Sequence, residues 1–116
     1  MMVTLCRAKI HRAKITEANL NYEGSITIDR SLMDAAGLMA FEKVHVVNIN
    51  TGSRLETYVI EGVADSGTIC LNGAAARLGA AGDKIIIIAY GHFTTEEASD
   101  FKPTLIRVDK NNRVIE

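Results

Sequence analysis

The dipeptide Gly24-Ser25 holds residue types able to do chemistry on the chain itself. A Gly-Ser pair usually marks a turn, since glycine accepts backbone angles that other residues avoid. Here the pair interrupts a run that otherwise reads as strand, with Leu20 and Tyr22 before it and Ile26-Thr27-Ile28 after it. The expectation is a strained Gly24 whose missing Cβ lets the Ser25 hydroxyl approach the preceding carbonyl carbon. A shift of the acyl group from nitrogen to oxygen would give an ester. β-Elimination would then remove the oxygen from Ser25, and hydrolysis of the dehydroalanine would leave a pyruvoyl group at a new N-terminus. Such a carbonyl is an electron sink.

The elements that must position this pair are short strands joined by tight turns. Val3 to Ile15 reads as a long strand, with Lys9 and His11 on one face and Ile10 on the other. Taken alone, that face would be a solvated one. Asp29 is placed to cap a short helix through Met33 and Ala36, which Gly37 ends. Val44 to Ile49 is the next strand, Asn50-Thr51-Gly52-Ser53 a hairpin turn, and Arg54 to Glu61 the returning strand. A two-residue period sets Arg54, Glu56, Tyr58 and Ile60 on one face of that strand and Thr57 on the other. For Thr57 and Tyr58 to act together, either a bulge breaks the alternation or the site lies beside the strand edge.

Asp65-Ser66-Gly67 turns into the strand Ile69-Cys70-Leu71, after which Asn72 reads as the cap of a helix beginning Gly73-Ala74-Ala75-Ala76. Small side chains at a helix start expose backbone N–H groups to an anion. Ala80 to Asp83 turns into Ile85-Ile86-Ile87-Ile88, a strand expected to be buried on both sides. Thr94 and Glu97 form a capping box before Pro103, and Val108 to Ile115 reads as a last hairpin about Asn111-Asn112. The pattern gives a mainly β fold of barrel type with a few short helices.

With 116 residues the chain is expected to be a single domain, 1–116, with a real core. An apolar fraction of 47%, a charged fraction of 23% and a net charge of −1 describe a globular protein. That charge favours neither nucleic acid nor an anionic membrane as partner. No apolar run approaches the ~20 residues of a membrane span, and no signal peptide is expected. Cys6 and Cys70 are read as free thiols of a reducing cytoplasm, and His11, His45 and His92 lack the spacing of a metal site.

Lys9-Ile10-His11-Arg12, Asn21-Tyr22-Glu23-Gly24-Ser25, Ile28-Asp29, Asp34-Ala35-Ala36-Gly37, Arg54 through Thr57-Tyr58 and Asn72-Gly73-Ala74-Ala75-Ala76 stand in a familiar order and spacing. From about Lys9 to Tyr90 the chain resembles the aspartate 1-decarboxylase family, pyruvoyl-dependent carboxy-lyases that make β-alanine for pantothenate synthesis. The resemblance implies a double-psi β-barrel, a homotetramer with active sites between subunits, and L-aspartate as substrate. It also implies autocatalytic cleavage into residues 1–24 and 25–116, with Ser25 as precursor of the pyruvoyl group that forms a Schiff base with the substrate. Neither pyridoxal phosphate, for whose fold the chain is too short, nor a metal is expected.

The remaining site residues follow from the same resemblance. Thr57 is the hydroxyl donor to the oxyanion at Gly24, worth about 3 kcal/mol if well aimed. Tyr58 is the proton donor after carbon dioxide leaves, a role that contributes about 10²–10⁴-fold. Lys9 and Arg54 anchor the substrate carboxylates, and Thr57, Gly73, Ala74 and Ala75 make further substrate contacts. His11, Tyr22 and Asn72 form a second tier. Arg77, where histidine is frequent, and Val47, at a position that can be tryptophan, depart from the pattern. Two alternatives stay open: a non-catalytic β-barrel binding module that never cleaves, and a pyruvoyl enzyme for another amino acid.

Overall fold

The structure is a computed structural model that describes residues 1–115. Its elements are β1 (Met2–Lys14), β2 (Glu17–Asn19), β3 (Ser25–Asp29), α1 (Arg30–Ala36), β4 (Lys43–Asn48), β5 (Arg54–Gly62) and β6 (Ile69–Asn72). A 3-10 segment (Gly73–Leu78), β7 (Lys84–Thr94), α2 (Thr95–Ser99) and β8 (Thr104–Arg107) complete it. The strands pair in the order β2-β6-β3-β5-β4-β7-β1-β8.

This sheet closes on itself because β1 and β2 are one run of chain, broken only at Ile15-Thr16. There the Ile15 N–H donates to the Asp83 carbonyl at 2.9 Å and the Thr16 N–H to the Ile69 carbonyl at 2.8 Å. The chain thus passes from pairing with β7 to pairing with β6, and the circuit is complete. Two parallel pairings, β2 with β6 and β3 with β5, join the antiparallel pairs that make up most of the barrel. The result is a small, mainly β barrel with a few short helices, as expected, with β8 laid parallel along β1.

Alternation fills the interior. Ile10, Ile26, Ile28, Val44, Val46, Val59, Ile69, Leu71, Ile85 and Ile87 form one core cluster. Two buried polar side chains tie the turns to it. The Asp29 carboxylate accepts from the backbone N–H groups of Ser31 (2.7 Å), Asp65 (2.9 Å) and Gly67 (2.8 Å), so the helix cap also anchors the turn before β6. Asn112 accepts from the Lys14 N–H and donates to the carbonyls of Lys14 and Gly67, each at 2.8 Å. These bonds pin the C-terminal hairpin, closed by a Val108–Val114 bridge, to the end of β1.

The structure corrects several local expectations. Leu20 to Tyr22 is a turn, and the strand before the Gly-Ser pair is the short β2. β8 also carries no strong sequence signal, since it gains its ladder only by lying on β1. The isoleucine strand is buried on its inner face, whereas Ile86 and Ile88 are half-buried on the outer one. The helix after Asn72 is 3-10 rather than α, and the Asn72 side chain does not cap it. Among the described residues no helix is long and apolar enough to cross a membrane.

Candidate active site

Ser25 opens β3, is fully buried, and pairs across the antiparallel ladder with Asn72 of β6. The Asn72 amide is spent on this contact. Its Nδ2 donates to Ser25 Oγ at 2.9 Å and to Thr27 Oγ1 at 2.9 Å, and its Oδ1 accepts from the Cys70 thiol at 3.1 Å. The Ser25 hydroxyl in turn donates to the Glu23 carbonyl at 3.3 Å. The grouping follows from a two-residue period on both strands. Ile26, Ile28, Ile69 and Leu71 point into the core, so Ser25, Thr27, Cys70 and Asn72 share the opposite face. Burial pushes the Cys70 thiol up, with the Glu17 carboxylate adding to the effect and a backbone contact from Asn19 opposing it. The thiol is therefore a protonated donor at neutral pH.

The glycine under constraint is Gly73, not Gly24. A Cβ at Gly24 would meet nothing within 4 Å, and its φ lies outside the left-handed region. Gly73 has φ +65°, and a Cβ there would sit 2.7 Å from the Gly24 nitrogen, 2.8 Å from the Gly24 Cα and 2.8 Å from the Tyr22 carbonyl oxygen. The start of the 3-10 segment is thus the floor on which residues 22–24 lie, and only a glycine permits that approach.

The strand that bears Thr57 and Tyr58 runs without a bulge. β4 and β5 pair in unbroken register from Lys43↔Tyr58 to Val47↔Arg54, and β3 joins the other edge of β5 at Ile26↔Val59. One step back along that parallel register brings Ser25 level with Tyr58, and a second brings Gly24 level with Thr57. β3 begins there, so the pair lies where the edge of β5 becomes free. Thr57 takes the inner side with Leu55 and Val59, and Tyr58 takes the outer side that Ser25 also faces. Of the two possibilities raised by the sequence, the bulge is absent: β4 and β5 pair without a register shift. A cleft of about 370 Å³ is lined by Lys43, Glu56, Thr57 and Tyr58, and neither Gly24 nor Ser25 lines it.

The two expected anchors do not converge on Ser25 within one chain. Lys9 points outward from β1, which β7 and β4 separate from β5, a span of roughly 14 Å at ordinary strand spacing. Arg54 is four residues from Tyr58 on the same face of β5, about 13 Å along the strand. Neither cation has an ion-pair partner among the described residues. A larger cavity of about 430 Å³, lined by Thr4, Glu42, Lys43, His45, Tyr90 and His92, lies on this outer face and excludes Ser25.

The second tier divides. Asn72 belongs directly on Ser25, whereas the Tyr22 side chain turns to solvent and only its carbonyl meets Gly73. The ring closest to Tyr58 is Phe41, with centroids 6.4 Å apart. His11, on the outer face of β1, is held below its ordinary pKa by burial first and then by Arg107, Arg12 and Lys9. Its ring makes no hydrogen bond among the described residues. In the 3-10 segment Gly73 is buried, Ala75 half-buried and Ala74 exposed. Among the described residues no cluster of His, Cys, Asp or Glu is placed to hold a metal ion.

Sequence reasoning missed Thr27 and Cys70. The available signal was the matched spacing Ser25-x-Thr27 and Cys70-x-Asn72, which becomes a cluster only when β3 and β6 are known to pair.

Comparison with known proteins gives the family. A family model described as Aspartate decarboxylase matches residues 1–115. The chain is 57% identical over 114 residues to the Aspartate 1-decarboxylase of Leptospira biflexa serovar Patoc, covering 97% of each. It is 59% identical over 115 residues to that of Caldicellulosiruptor saccharolyticus, covering 99% of this chain and 90% of the relative. To that of Salinibacter ruber it is 58% identical over 114 residues, covering 98% and 78% respectively. With a match over nearly its whole length and relatives this similar, the chain belongs to the aspartate decarboxylase family.

Proposed function

We propose that this protein decarboxylates L-aspartate to β-alanine and carbon dioxide, supplying pantothenate synthesis, after cutting its own backbone between Gly24 and Ser25. The observation that carries the reading is the buried Ser25 hydroxyl, held by an Asn72 N–H at 2.9 Å and level with Tyr58. The names of relatives at 57–60% identity supply the substrate.

In the cleavage step Ser25 Oγ attacks the Gly24 carbonyl carbon. The C–O bond forms, the C–N bond breaks, and the hydroxyl proton passes to the Ser25 nitrogen. Thr57, level with Gly24, is the donor assigned to the oxyanion, and Asn72 steadies Oγ as charge develops on it. Loss of the Ser25 α-proton then expels the ester oxygen as the Gly24 carboxylate. Water adds to the dehydroalanine and ammonia departs. The products are residues 1–24 and a chain that begins at position 25.

The surrounding residues fit a pyruvoyl group. Position 25 is dry, β3 holds it through its ladder to Asn72, and the Asn72 N–H faces the atom that leaves. When formed, the group supplies the electron sink for loss of the α-carboxylate. Tyr58 then delivers a proton to the α-carbon, and the cations Lys9 and Arg54 bind the substrate carboxylates. Ala74 and Ala75 border the site beside Gly73 and give it room.

Because Lys9 and Arg54 stand apart from Ser25 in one chain, the complete site requires a second copy. The outer face that bears them also carries half-buried Val47, Ile86 and Ile88, apolar residues suited to a subunit interface. The assembly is assigned as a homotetramer.

Intact mass is the deciding experiment. Two fragments meeting at Gly24/Ser25, with carbon dioxide released from aspartate in preference to glutamate or arginine, support the reading. A chain that stays at 12.6 kDa after long incubation and is inactive points instead to a binding module. Borohydride must abolish activity by reducing the carbonyl; if it leaves activity intact, the pyruvoyl route is wrong.

A further inference from the structure

The polar network on the outer face of β3 and β6 contains a group that the reaction above does not use. Cys70 is buried, and its sulfur lies 3.1 Å from Asn72 Oδ1. The Leu71 carbonyl, the other acceptor near it, lies farther off at 3.9 Å, so Asn72 Oδ1 is the closer partner of the thiol. Asn72 has two ways to sit in this pocket, related by a flip of its amide. In one, N–H groups face Ser25 and Thr27; in the other, the carbonyl oxygen faces them.

The hydroxyls bias this choice only weakly: Ser25 gives its proton to the Glu23 carbonyl over a long 3.3 Å and can turn it to an amide oxygen instead, and Thr27 can donate or accept. The choice falls to the third contact. A protonated thiol donates to an amide oxygen, whereas sulfur is a weak acceptor for an amide N–H. The choice also matters chemically. An N–H at 2.9 Å from Ser25 Oγ stabilises negative charge there, whereas a carbonyl oxygen at the same distance opposes it.

We propose that Cys70 is a positioning residue for self-cleavage: its thiol proton, given to Asn72 Oδ1, locks the amide so that an N–H faces Ser25 Oγ. The inference rests on the cleavage reading above and adds to it the group that orients Asn72. Cys70 touches neither the scissile bond nor the substrate and is unchanged by the reaction. Burial of the thiol, which holds it protonated, keeps the donor in place across the neutral pH range.

The test follows cleavage of freshly isolated, full-length chain by intact mass, with the melting temperature measured alongside. Cys70→Val fills the site with a somewhat larger apolar side chain and removes the donor; Cys70→Ser keeps a donor. The valine variant should cleave about ten- to a hundredfold more slowly, the order of effect of mis-aiming one charge-stabilising donor. The serine variant should cleave within about threefold of wild type, whichever of the two melts lower. If the valine variant fails to fold, Cys70→Ala replaces it with the same expectation. A wild-type chain that cleaves while Cys70→Val or Cys70→Ala cleaves as fast overturns this inference alone. Cleavage that follows melting temperature instead of the presence of a donor overturns it too. A wild-type chain that never cleaves overturns the cleavage reading and this inference together.

Discussion

Gly24 and Gly73 look alike in the sequence, and the structure gives them different work. Gly24 has open space where its side chain would be, so Gly24→Ala should fold with a stability change under about 0.5 kcal/mol. Gly73 lies against the Gly24 backbone at positive φ, so Gly73→Ala should lose about 1–3 kcal/mol of unfolding free energy. It should also slow cleavage, because residues 22–24 must move to admit the methyl group. Urea titration of both variants tests the pair, and equal stabilities would mean that Gly73 does not support the scissile segment. Ser25→Ala should stay whole and inactive. Tyr58→Phe should cleave normally and lose about 10²–10⁴-fold in turnover, as measured by β-alanine formation. A phenylalanine variant with full turnover removes Tyr58 as the proton donor.

Among the elements, the turns carry more specification than the strands. Asp29 was legible as a helix cap, and it is one, yet it also receives the N–H groups of Asp65 and Gly67 from a distant turn. Asp29→Ala would leave three backbone donors without their acceptor. It should cost at least about 2 kcal/mol, more than an ordinary cap, since orphaned buried donors add to the loss. A loss below 1 kcal/mol, about the value of a simple cap, would show that the second turn finds other partners. Asn72 shows the converse. It was read as a cap from its position before Gly73, but its amide serves Ser25 and Thr27 across the ladder. A side chain has one set of hydrogen bonds to give, and the buried hydroxyls claim it before the short 3-10 segment does.

At the scale of the whole molecule, the outer face of β1, β7, β4 and β5 is the least finished part of the single chain. Ile88→Glu, at a position opposite Lys9 and His45 in register, should reduce the assembly mass measured by light scattering while leaving each barrel folded. It should also abolish turnover if the site is shared. His11 on the same face gives a pH signature. Its folded pKa lies below the ordinary 6.5, so the unfolded chain binds more protons just below that value. Stability should fall as pH drops through 6.5 and stop falling, for this group, once the folded histidine also protonates. His11→Gln should flatten that part of a urea-midpoint profile between pH 8 and pH 5.

The sequence by itself determined the chemistry on offer and the class of fold. Gly24-Ser25, Thr57-Tyr58 and the Gly73 run stood at legible spacings. Two-residue alternation correctly separated Lys9 from Ile10 and Tyr58 from Thr57, because the faces of a strand are a local property of the backbone. Only the tertiary structure decided what lies across from what. That β3 meets β6, and that β5 loses its neighbour where the Gly-Ser pair begins, are matters of pairing between segments tens of residues apart. Cys70, Thr27 and Asn72 therefore became parts of one network around Ser25 only on closure of the barrel. No local preference of those residues encodes that meeting.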